Sequence, residues 1–148
     1  PSPRGRFFVH RPLQGYLCSG KTKRLIDIAN DAFKSEHGTV AFIDDDKRYM
    51  YDLRHEIRFV DVSENEIVKG CTCDVFFGFL SGMLAMNYDL SLVCIDAFLK
   101  LVKKTNLNDM EDFFARLNAL SESSRCNFVI NISCGEENLP AFVKQYQI

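Results

Sequence analysis

The stretch Gly15-Tyr16-Leu17-Cys18-Ser19-Gly20-Lys21-Thr22 decides the fold. It fits G-x-x-x-x-G-K-[ST] at every fixed position and runs directly into an amphipathic segment. The spacing has a physical reason. Glycines and small residues let successive main-chain N–H groups curl around phosphate oxygens, and the start of the following helix adds its partial positive charge. In such a loop Lys21 reaches the β- and γ-phosphates, and the Thr22 hydroxyl holds Mg²⁺. The candidate phosphate-binding residues are therefore Gly15, Cys18, Ser19, Gly20, Lys21, Thr22 and Lys23. Read alone, the same residues also fit a Gly/Ser-rich turn ahead of a helix, so the remainder of the chain has to arbitrate.

Working outward, strand and helix patterns alternate. Phe7 to His10 reads as a short strand. From Lys21 to about Ser35, Leu25, Ile28, Ala29, Ala32 and Phe33 fall on one helical face. Glu36-His37-Gly38 ends that helix, with Gly38 as its cap. Thr39 to Ile43 is an unbroken β-branched and apolar run, the pattern of a strand buried on both faces. It stops at Asp44-Asp45-Asp46. Ile57 to Val60 is another short strand. Asp74 to about Met86 is a mostly apolar helix, whose Gly78 and Gly82 suggest close packing. Leu90 to Ile95 is a second buried strand, ending at Asp96. Asn108 or Asp109 is expected to cap a helix carrying Met110, Phe113, Leu117 and Leu120 on one face. Asn127 to Ile132 is the last strand, and Leu139 to about Tyr146 a short helix.

Alternating strands and helices predict an α/β fold, a parallel sheet of about five strands between two helical layers. Ligands of such sheets bind at the carboxyl ends of the strands. Asp44–Asp46, Asp96 and Asn131 or Ser133 all fall at those ends, beside the Gly15–Thr22 loop. Separate strands thus deliver polar groups to one rim.

Each of these groups has a chemical reading. Asp96, at the end of a buried strand, is expected to join Thr22 in holding Mg²⁺. A simple turn cap reads the same way in isolation. Ala97 follows it, where many ATP-hydrolysing proteins have a glutamate that activates water. A base would then come from Asp44, Asp45 or Asp46, with Asp46 and Asp45 as the catalytic candidates beside Lys21. A solvated acidic turn is the competing reading. Asn131 or Ser133 is a candidate sensor of the terminal phosphate, a plain polar strand end being the competing reading. The basic group Lys47, Arg48, Arg54, His55 and Arg58 reads as a solvated face or as a phosphate or partner contact.

Composition bounds the alternatives. The chain has 148 residues, which suits one domain spanning 1–148. Its net charge of −2 gives no strong nucleic-acid signal. No apolar run is long enough to span a bilayer and no signal peptide is visible, so no membrane role and a cytoplasmic location are expected. The six cysteines are irregularly spaced, and Cys71-Thr72-Cys73 lacks the paired spacing of a zinc site. Reduced thiols are expected instead.

On these residues the chain resembles the RecA-like division of P-loop NTPases over roughly Gly15 to Cys134. Val40-Ala41-Phe42-Ile43-Asp44-Asp45-Asp46 is similar to the segment that carries that family's catalytic glutamate, with Asp46 at the matching place. Leu92-Val93-Cys94-Ile95-Asp96 is similar to its Mg²⁺-binding strand, and Phe128-Val129-Ile130-Asn131 to its sensor strand. Ile132 stands where the sensor glutamine would fall. The segments SGKTKRLID (19–27), Tyr51-Asp52, GFLSG (78–82) and NYD (87–89) further resemble small stand-alone bacterial ATP-binding P-loop proteins, often labelled twitching-motility-like. A fainter similarity, in SGKTKRLI and Ile43-Asp44 to Arg48-Tyr49, is to thymidine kinases. The acid after Asp96 and a zinc-holding Cys-x-x-Cys do not accompany it.

The resemblance implies a three-layer α/β/α P-loop domain that binds ATP with Mg²⁺, as a slow or partner-stimulated ATPase. The alternatives are a non-catalytic nucleotide-responsive module, or a degenerate P-loop interaction module, and a nucleoside kinase. It also implies that Phe7–His10 lies beside Asn127–Ile132, with its other side open. That edge is expected to meet a second copy, a protein partner or the N-terminal segment. The intervening Arg11-Pro12-Leu13-Gln14 and the bulky Tyr16 and Leu17 depart from the family pattern.

Overall fold

The computed structural model describes residues 7–10, 19–35, 38–132 and 139–146, with backbone alone for 7–10, 19–21 and 35. The strands are β1 (Phe7–His10), β2 (Thr39–Asp44), β3 (Arg58–Asp61), β4 (Leu90–Ile95) and β5 (Asn127–Asn131). The helices are α1 (Ser19–Ser35), α2 (Cys73–Met86), α3 (Phe98–Leu101), α4 (Glu111–Ser124) and α5 (Ala141–Lys144).

All strand pairs are parallel. The run β5-β4-β2-β3 forms the body of the sheet, and β1 extends it beside β5. The neighbour expected for Phe7–His10 is the one observed. Both β2 and β4 lie in the interior, and Val40, Ala41, Phe42, Ile43, Cys94 and Ile95 are all fully buried. Burial on both faces is why these strands read as continuous apolar runs rather than alternating ones.

The two faces carry separate cores. On one, Leu25, Ile26 and Ala29 of α1 pack on Val40, Phe42, Leu92, Cys94 and Val129. On the other, residues of α2, α3, α4 and α5 pack on Ala41, Ile43, Val93, Ile95, Phe128 and Ile130. Alternation along each strand assigns the faces, so the two residue sets interleave by ones. Helices therefore cover both sides of the sheet. None of the helices among the described residues is long and apolar enough to cross a membrane.

Several local expectations are corrected. Asn108 and Asp109 do not cap α4. Leu107–Asp109 form a 3₁₀ turn, and Met110, fully buried, takes the N-cap position without a side-chain bond. Glu111 and Asp112 in the first turn supply the charge that suits a helix start. Gly38 does not adopt the left-handed conformation of a helix cap. Glycine is required there because a Cβ would collide with the Asp89 carbonyl oxygen. Gly78 and Gly82 do not mediate close packing within the chain. Both are exposed, and a Cβ at either would meet open space. The predicted helix at Leu139–Tyr146 is confined to one turn, Ala141–Lys144.

Candidate functional site

The carboxyl ends of the parallel strands converge as the alternation predicts. Ile43 pairs with Ile95 across β2 and β4, and the Asp96 main-chain N–H donates to the Ile43 carbonyl at 2.8 Å. Asp44 and Asp96 are therefore neighbours at the ends of adjacent strands. Since Ile43 and Ile95 point to the α2–α4 side, the next residues turn toward the α1 side. Thr22, in the first turn of α1, is there to meet them.

Asp96 is the hub. It is 7% exposed and its two oxygens are each used. The Thr22 hydroxyl donates to Oδ2 at 2.9 Å, and the Asn131 amide donates to Oδ1 at 3.1 Å. Residues 74 and 35 positions away in sequence are thus tied to one carboxylate. Thr22 and Asn131 are themselves buried. The Thr22–Asp96 spacing has a second meaning. Adjacent oxygen ligands of an octahedral Mg²⁺ stand about 2.9 Å apart, given Mg–O distances near 2.0–2.1 Å. A hydroxyl and a carboxylate oxygen at that separation suit neighbouring places around one such ion.

A cleft of about 270 Å³ opens over this hub, lined by Thr22, Asp44, Asp45, Asp46, Asp96 and Lys100 among others. The three consecutive aspartates differ sharply. Asp44 is 3% exposed, and its Oδ1 accepts the Asp45 main-chain N–H at 2.7 Å. Burial, and then the negative charge of Asp96, push its carboxyl up to about 8. Asp45 lies 3.9 Å from the Lys100 ammonium. Asp46 turns back on its own loop, accepting the Arg48 N–H at 2.8 Å and pairing with the Arg48 guanidinium at 3.6 Å. Carboxylate oxygens of all three lie within 4.8 Å of one another.

Asp44 is the group that sequence reasoning underweighted in favour of Asp45 and Asp46. A signal was present. Like Asp96, it is the first acid after a run of buried apolar residues, whereas Asp46 lies two residues into the turn. Lys100, placed at the cleft by the single turn α3, was also missed. Ala97, between Asp96 and α3, adopts a left-handed conformation with φ 54°, which redirects the chain away from the strand.

The remaining expected residues divide. Ser19, Gly20 and Lys21 begin α1, and Lys23 is exposed on its first turns. Gly15, Cys18 and Ser133 lie outside the described residues. Much of the basic group is paired locally. Lys47 contacts Glu64 at 2.5 Å, Arg54 contacts Glu56 at 3.9 Å, and the Arg54 guanidinium lies 5.0 Å from the centroid of the Phe33 ring. His55 is 92% exposed. This fits a solvated face. Cys71, Cys73, Cys94 and Cys126 are buried free thiols, and burial pushes Cys73 up to about 11.

No protein-family model matches this chain, and no curated protein matches it either.

Proposed function

We propose that the chain is a P-loop nucleotide-binding domain of the RecA-like type, and that it binds ATP with Mg²⁺ at the cleft over Asp96. One observation carries this reading. A threonine in the first turn of the helix behind the G-x-x-x-x-G-K-T motif meets a strand-end aspartate, and a strand-end asparagine braces that aspartate. A Gly/Ser-rich turn gives no reason for Thr22, Asp96 and Asn131 to be buried together. The strand order supports it too, because the sensor-like strand lies between β1 and β4.

In this reading the residues divide the work. The first turn of α1 and Lys21 receive the phosphates. Thr22 and Asp96 hold Mg²⁺, which when bound neutralises phosphate charge. Asn131 fixes the Asp96 carboxylate and so orients the metal-facing oxygen. Asp44, Asp45 and Asp46 are the carboxylates available to orient water, with Asp45 and Asp46 already engaged by Lys100 and Arg48. A second reading, binding without hydrolysis, is favoured by Ala97, which leaves no carboxylate directly after Asp96.

Thermal shift with Mg-ATP tests the assignment, with hydrolysis measured on the same samples. The wild type is expected to gain stability with Mg-ATP, and Thr22→Ala to lose at least about tenfold in Mg-ATP affinity. Phosphate release above background, lost in Lys21→Ala, identifies an ATPase. Binding without release identifies the nucleotide-responsive module. Equal Mg-ATP affinity for Thr22→Ala and wild type rejects the assigned metal pair.

A further inference from the structure

A buried carboxyl either keeps its proton or needs a cationic partner, a set of donors or a metal ion to ionise, because desolvating its charge otherwise costs several kcal/mol, on the order of the stability of a domain. Among the described residues, Asp44 has no cationic partner and no set of donors. It is 3% exposed and faces the cleft. Among the described residues, its hydrogen-bond donor is the main-chain N–H of its own neighbour, Asp45. Among the described residues, the two cationic side chains lining the cleft are each near another acid, Lys100 by Asp45 and Arg48 by Asp46.

The neighbour of Asp44 across the sheet makes this arrangement less favourable still. Asp96 ends the adjacent strand, and paired strands stand about 4.8 Å apart. Two carboxylates, each more than nine-tenths buried, therefore share one side of the sheet with no cation between them among the described residues. The Thr22 hydroxyl and the Asn131 amide satisfy Asp96 as hydrogen-bond donors, but both are neutral and bring no positive charge to it. A metal site that relied on Asp96 and Thr22 alone would offer one charged ligand, and would depend on nucleotide phosphates for the rest.

We propose that Asp44 and Asp96 together form a divalent-cation site, completed by the Thr22 hydroxyl, that fills without nucleotide. The ion is a hard oxygen-seeking cation, Mg²⁺ or Mn²⁺, since every donor is a carboxylate or hydroxyl oxygen. Asp44 is then a direct ligand rather than a spare base. The metal would arrive first, and nucleotide would bind to the loaded site. This rests on reading Asp96 and Thr22 as the metal-facing pair, and not on ATP being the ligand.

The test is titration of the nucleotide-free protein with Mn²⁺ alone, following loss of the free-ion paramagnetic resonance signal. A separate calorimetric titration uses Mg-ATP. The wild type is expected to take up one Mn²⁺ per chain, and Asp44→Asn, close in shape, to bind it at least about tenfold more weakly. No uptake by wild type, or equal uptake by Asp44→Asn, overturns the proposal. Mg-ATP binding without uptake of Mn²⁺ alone refutes the proposal and leaves the nucleotide reading standing. Uptake that Asp44→Asn weakens, without Mg-ATP binding, supports the proposal and rejects the nucleotide reading.

Discussion

Asp44→Asn is expected to stabilise the metal-free protein at pH 8 by on the order of 2 kcal/mol, or roughly 4–8 °C in melting temperature. The wild-type carboxyl sits in the core end of β2 with its charge opposed by burial and by Asp96, which raises it from 3.8 to about 8. The sign follows from proton counts. Between these values the folded state holds a proton that the unfolded chain has released, so stability falls as pH rises. The stability tied to the neutral form is fully present below about pH 4 and lost as pH climbs through 8. Asparagine keeps the size of the side chain and cannot ionise. Urea denaturation in a chelating buffer at pH 5.5, 7 and 8 should show the wild type weakening relative to Asp44→Asn as pH rises. A constant difference across that range would mean that Asp44 is already ionised in the fold and compensated by something else.

Phe98→Ala is expected to cost about 3–5 kcal/mol, a large share of the roughly 5–15 kcal/mol that such domains possess. The Phe98 ring is fully buried and joins three helices. It stacks on Phe113 with centroids 5.6 Å apart, meets the edge of Phe76 at 6.0 Å and touches Phe114 at 6.1 Å. Its removal leaves a cavity where α2, α3 and α4 meet, two residues beyond Asp96. A Phe77→Ala comparison should cost less, because Phe77 is only partly buried against the same core. The urea midpoints of the two variants measure this. A Phe98→Ala loss below about 1 kcal/mol would mean that the aromatic cluster collapses into the space and is not the anchor of α3.

Much of the framework was legible because its physics is local. Thr39–Asp44 and Leu90–Ile95 announce themselves as central strands by unbroken apolar runs, and α1 by one apolar face ending in Ala29, Ala32 and Phe33. What escaped depended on distant residues or on single turns. Four residues of α3 cannot establish a helical period, yet they bring Lys100 to the cleft. Gly38 looked like a helix cap, and its true constraint, the Asp89 carbonyl, lies on a loop fifty-one residues later. Gly78 and Gly82 showed spacing without showing which way the helix faced.

The site was half legible for the same reason. Convergence of Thr22, Asp96 and Asn131 follows from the rule that parallel strands deliver their carboxyl ends to one rim. The order of importance within Asp44-Asp45-Asp46 does not. It depends on which of the three remains inside the sheet's end, and the resemblance to RecA-like sequences points to Asp46 while burial points to Asp44.

The central claim is that this rim binds a magnesium–nucleotide complex through the phosphate loop. Isothermal titration of folded wild type and Lys21→Ala with Mg-ATP tests it most directly. The account predicts one site per wild-type chain and loss of binding in Lys21→Ala, with both proteins showing the same folded circular-dichroism spectrum. Absence of binding to folded wild type, or unchanged binding in Lys21→Ala, would contradict it.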